Sequence, residues 1–147
     1  MENDPVGARL VALVNALTSE LGTRASVSVQ EEPNTPRQVD VIPRTDSALP
    51  VGWIELGSEL ILQAGHHGGR WELKRELEQM DFLEDVVRSV IDGRVTEVFA
   101  PGRSRVEVTL RDGSVVAEAG YATLRGCLPL PGWVRRGRRV HYAPYAE

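Results

Sequence analysis

At 147 residues, with 41% hydrophobic and 26% charged side chains, the chain has the length and composition of one ordinary globular domain. No apolar run reaches the roughly 20 residues that cross a bilayer; the acidic start "MENDPVGARL" lacks the basic residues of a secretory signal; and the one cysteine, Cys127, excludes an internal disulfide, which together point to a reduced, cytoplasmic setting. The net charge of −4 is unevenly divided, because residues 1–100 carry 9 basic and 17 acidic side chains while residues 101–147 carry 8 arginines and 4 acids.

The first element is a helix. Asp4 is placed to cap it, Pro5 suits its first position, and Leu10, Leu13, Val14, Leu17 and Leu21 fall on one face before Gly22 stops it. "RASVSVQ" (24–30) alternates as a half-buried strand does, and "QVDVIPR" is a second short strand beyond a loop. "GWIELGSELILQAG" reads as two strands joined by a tight turn at Gly57–Ser58.

"AGHHGGRW" (64–71) invites a metal or phosphate reading. Adjacent side chains on extended backbone point to opposite faces, so His66 and His67 do not converge on one ion, and no HExxH, CxxC, GxxxxGK[ST] or GxGxxG motif is present. The stretch is expected to be a solvated turn relaxed by Gly68 and Gly69, with "RWELKR" as the returning strand. No cofactor is implied. A helix from Asp81 to Gly93 follows, with "DFLE" as a capping box and Phe82, Leu83, Val86, Val87, Val90 and Ile91 as its apolar stripe; "ELEQM" before it is also compatible with helix.

Next, "RVTEVFAPGR" is a strand that meets a hairpin through a Pro101–Gly102 turn. Simple pairing about that turn sets Glu97 opposite Val106, which mixes polar and apolar faces and suggests a bulge or longer loop. The hairpin itself is centred on Asp112–Gly113, with Leu110 opposite Val115, Val108 opposite Ala117 and Val106 opposite Ala119. The proline-rich tail ends as a short hairpin or as a strap across the body.

The sum is an α+β fold: a mainly antiparallel sheet of about six or seven strands with two principal helices packed on one face, residues 1–147 forming a single domain. Residues 121–147 form a basic, aromatic-rich C-terminal segment that packs on the domain or extends from it. A sheet covered on one side leaves its other face for a partner or a second copy.

No catalytic set emerges. There is no GxSxG, Cys127 is read as an inert thiol, and the acidic pairs Glu72 with Glu76 and Glu84 with Asp85 read as solvated surface. The tail carries the functional expectation. Arg135, Arg136, Arg138 and Arg139 lie among Trp133, Tyr142 and Tyr145, residue types that dominate interface hot spots and pair with carboxylates or phosphates. The expected function is a small non-catalytic protein that binds another protein, an immunity or antitoxin-type inhibitor of a bacterial toxin being one concrete form. The alternatives are a small enzyme or ligand-binding protein using Trp53, His66, His67 and Trp71, and nucleic-acid binding by the tail, which the acidic body opposes.

Overall fold

The chain opens with the helix its caps specify. In the computed structural model, which describes residues 3–122 and 128–145, helix α1 (Pro5–Leu21) is capped by Asp4, whose carboxylate accepts a 2.9 Å bond from the Gly7 N–H. Val6, Leu10, Leu13, Leu17 and Leu21 are buried along one stripe. A turn of 3₁₀ helix at Gly22–Arg24 leads into five strands: β1 (Ala25–Gln30), β2 (Arg37–Pro43), β3 (Val51–Leu56), β4 (Glu59–Ala64) and β5 (Arg70–Lys74). Each pairs with the next in chain order, all antiparallel. Alternation sets Val39, Trp53, Leu62 and Trp71 in one row across the sheet and Val41, Val51 and Ala64 in the next, all buried.

Helix α2 spans Leu77–Ile91, so it starts before Asp81 and not at it. Met80 extends the apolar stripe of Leu83, Val86, Val87 and Val90 by a turn and is itself buried, which is why the helix reaches back. Asp81 and Glu84 do not form a capping box. Both receive Arg9 of α1, at 2.8 and 3.4 Å. Phe82 meets Trp71 edge-on, with ring centroids 6.3 Å apart.

The second half builds another sheet from β6 (Val95–Ala100), β7 (Arg103–Thr109), β8 (Val115–Tyr121), a short helix α3 (Trp133–Arg136) and β9 (Arg138–His141), in the order β8-β7-β6-β9. The fold is therefore α+β, but the expected single sheet of six or seven strands is corrected to two antiparallel sheets of five and four. Helix α2 carries the chain away after β5, so β5 and β6 never pair. The helices pack on one another, α1 also lies against β1, and α2 touches both β3 and β7. One buried cluster joins side chains of both sheets and both helices.

Two registers differ from expectation. The β7–β8 hairpin closes through three residues, Arg111–Gly113, inside a 2.8 Å bond from the Leu110 N–H to the Ser114 carbonyl. The Asp112 carboxylate accepts from both the N–H and the hydroxyl of Ser114, and Gly113 adopts φ = 89°. That extra loop residue shifts the pairing by one, so Val108 faces Val116 and Val106 faces Glu118. The reverse holds at Pro101–Gly102. The turn is tight, no bulge forms, and Glu97 does sit opposite Val106, with its side chain fully buried.

The tail is a strap. After β9 pairs along the edge of β6, the Ala143 N–H donates to the Ser47 carbonyl and the Tyr145 N–H to that of Ile91, both at 2.8 Å. Cys127 lies outside the described residues. Among those described, no helix is long and apolar enough to cross a membrane.

Candidate functional site

The glycine-rich stretch between β4 and β5 is a turn, but not a solvated one. Its main chain lies against the second sheet so closely that side chains are excluded. A Cβ on Gly68 would come within 2.6 Å of the Glu118 and Ser104 carbonyl oxygens, and one on Gly120 within 1.8 Å of the His67 carbonyl oxygen. The Ser104 hydroxyl accepts from the N–H groups of His67 and Gly68, at 3.0 and 2.7 Å, and donates to Glu97 Oε2 at 2.6 Å. The His66 N–H also donates to Oε2, at 2.7 Å. On the other side of the carboxylate, Tyr142 Oη donates to Oε1 at 2.7 Å and His66 Nδ1 lies 3.0 Å from it.

Glu97 is thus a buried charge surrounded by donors from three parts of the chain: the β4–β5 loop, β7 and the C-terminal strap. Burial alone pushes its carboxyl up, but bonds from Ser104, from the His66 N–H and ring, and from Tyr142 outweigh it and hold the group below its ordinary 4.5. Burial, reinforced by the bond to that carboxylate, pushes the Tyr142 phenol well above its usual value. Ser104 has no capacity left for nucleophilic chemistry, since its lone pairs and its proton are all committed. Among the described residues, no three His, Cys, Asp or Glu side chains group as metal ligands would. The arrangement fastens one sheet to the other.

The His66 ring stays largely exposed and meets Phe99 edge-on at 5.1 Å. On that same ring stands Arg138, its guanidinium carbon 4.8 Å from the centroid. Phe99 is also one wall of an open groove of about 320 Å³ lined by Leu130, Pro131, Trp133, Arg136 and Arg138. The β6–β7 turn forms its floor. Behind it Arg103, almost buried, lies over both Tyr121 and Trp133, at 5.6 and 5.8 Å, and so holds the indole in place. The groove is apolar inside with arginines at its rim. That suits a partner offering an apolar side chain next to a carboxylate.

The residues expected to bind a partner divide into two sets. Trp133, Arg136 and Arg138 line the groove, and Arg135 is exposed next to it on α3. Among the described residues these three arginines make no ion pair, whereas Arg139 is tied to Glu107 at 3.2 Å. Tyr142 is turned to Glu97, and Tyr145 is in the core with its hydroxyl on the Leu49 carbonyl at 2.7 Å, so both hold the strap. Trp53 and Trp71 are core residues as well, buried in the cluster that joins the sheets and the helices. Composition pointed to the arginines but not to Phe99, Arg103, Leu130 or Pro131. Glu97 did leave a signal, the face-mixing register at the Pro101–Gly102 turn. Comparison with known protein families, curated proteins and solved structures gives no match.

Proposed function

We propose that this protein acts in the cytoplasm without catalysis, by binding an acidic protein partner through the groove of Phe99, Pro131, Trp133, Arg136 and Arg138. An immunity or antitoxin-type inhibitor of a bacterial toxin is one concrete form of that role. The observation that carries the reading is the conjunction of an aromatic-walled hollow with rim arginines that no described acid neutralises. An aromatic anchor supplies burial, and guanidinium groups supply direction and long-range attraction. The acidic body favours a protein carboxylate over nucleic acid, since phosphates beyond the patch would be repelled.

The test uses the intact chain as bait in its native host, followed by titration calorimetry with whatever protein is recovered in stoichiometric amount. Trp133→Ala, and separately Arg136→Ala with Arg138→Ala, should each weaken binding by about 2 kcal/mol, roughly 30-fold. Arg111→Ala, at the opposite end of the β7–β8 hairpin, should leave it unchanged. Equal affinities for all of these variants, or recovery of nucleic acid or a small ligand in place of a protein, would overturn the proposal.

A further inference from the structure

Two sheets have four edges, and the molecule treats them differently. β5 and β8 come together, joined where the Gly69 N–H donates to the Glu118 carbonyl at 3.0 Å. The β9 edge carries Arg138 and Arg139, charges of the kind that discourage further pairing. The fourth edge, β1, has none of these protections. Its sequence, Ala25–Gln30, contains no charge and no proline, and Val29 is 39% exposed.

The pairing of β1 with β2 shows which main-chain groups it leaves open. The Arg44 N–H donates to the Arg24 carbonyl, and Pro43, which has no N–H, sits opposite Ala25. The Arg24 carbonyl and the N–H and C=O groups of Ser26, Ser28 and Gln30 therefore turn towards β2, those of Val27 and Val29 turn outward, and the Ala25 N–H closes the 3₁₀ turn of Gly22–Arg24. Among the described residues no backbone hydrogen bond reaches those outward groups.

We infer that β1 is a docking edge for a second copy of this chain. The occupant follows from symmetry and charge. An antiparallel pair of identical strands has a twofold axis perpendicular to the sheet, so opposed residues must share a face. Centred on Ser28, such a pairing sets Val27 opposite Val29 of the second copy, each pair exchanging both main-chain hydrogen bonds. It also brings Arg24 of each copy opposite Glu32 of the other, with Glu31 alongside. The edge is neutral in the middle, basic at one end and acidic at the other, and so complements itself when reversed. A six-residue edge buries less than the roughly 1,200 Å² of a standard interface, so the dimer is weak and forms in a concentration-dependent way. This surface is on the other sheet from the arginine groove and does not depend on it.

Sedimentation velocity over a micromolar to submillimolar series should show the intact chain passing from monomer to dimer. Hydrogen exchange should show the Val27 and Val29 amides protected at the high end and open at the low end. Val29→Pro removes one outward N–H, and Ser26→Lys with Ser28→Lys sets like charges across the axis without touching the core. Each should weaken association at least about tenfold. Arg24→Glu should also remain monomeric, but should pair with a Glu31→Arg, Glu32→Arg chain when the two are mixed. A chain that stays monomeric throughout, or a dimer indifferent to the lysine substitutions, would overturn the inference.

Discussion

Glu97→Ala should be the most damaging single change to a polar side chain in this protein. It removes the acceptor for four groups. Two of them, the Tyr142 hydroxyl and the His66 ring, are partly exposed and can turn to water. The His66 N–H and the Ser104 hydroxyl are held in the junction and cannot, because Ser104 is pinned by the N–H groups of His67 and Gly68. Two stranded donors at about 1–3 kcal/mol each give a loss of about 4 kcal/mol, a large share of the ~5–15 kcal/mol that holds a domain folded. Glu97→Gln separates charge from bonding. Its amide oxygen can serve Ser104 and the His66 N–H, and its NH₂ can donate to Tyr142 and to the other tautomer of His66. Only the charge assistance is lost, about 2 kcal/mol. Urea unfolding at neutral pH, followed by the fluorescence of the buried Trp53 and Trp71, measures both. If the alanine variant lies within about 1 kcal/mol of the parent, the carboxylate does not fasten the sheets together and the reasoning fails.

The same carboxylate sets an acid response. Its folded value lies below the ordinary 4.5, so its contribution is present above that value and is lost as pH falls through the lower folded one; the stability gap between parent and Glu97→Gln should close on titration below pH 4.5, and a constant gap would contradict this. Gly120→Ala puts a methyl group 1.8 Å from a main-chain oxygen that cannot step aside, so it should cost more than about 2 kcal/mol. Gly57→Ala, with nothing within 4 Å of the new Cβ, should cost only about 1 kcal/mol of left-handed backbone strain, and urea midpoints should rank the two accordingly. Tyr145→Phe removes the bond to the Leu49 carbonyl and should cost about 1–2 kcal/mol, with faster hydrogen exchange at the Ala143 and Tyr145 amides as the strap loosens; unchanged exchange would show that the strap is held by burial alone.

Local chemistry made much of the fold legible. Asp4, Pro5 and Gly22 bound α1, Gly57–Ser58 sets a tight turn, Ile- and Leu-rich runs mark β3 and β4, and alternation marks β5, because each of these depends on neighbours within a few residues. The register of β7 on β8 was not legible to one residue. Asp112–Gly113 is compatible with a two-residue or a three-residue loop, and the side chain of Asp112 favours the second only once Ser114 is placed. The candidate site was legible by composition at its arginines and at Trp133. Phe99 and Arg103 were not, since their place beside those residues arises from β9 returning to β6 across some 40 positions of chain.

Sequence by itself determined α1, the strands β1 to β8 in their order, a second helix before β6 and the α+β class, because periodicity, caps and turns act over short range, and it left the start of α2 and the elements of the tail open. Tertiary structure alone decided that there are two sheets rather than one, that the pair of histidines marks a seam and not a ligand set, and that Tyr142 and Tyr145 face inward while Arg136 and Arg138 face out. The physical reason is Glu97. A lone acid in a strand reads as a surface residue until a distant serine, a loop amide and a tail tyrosine converge to solvate its charge, and only the folded chain brings them together.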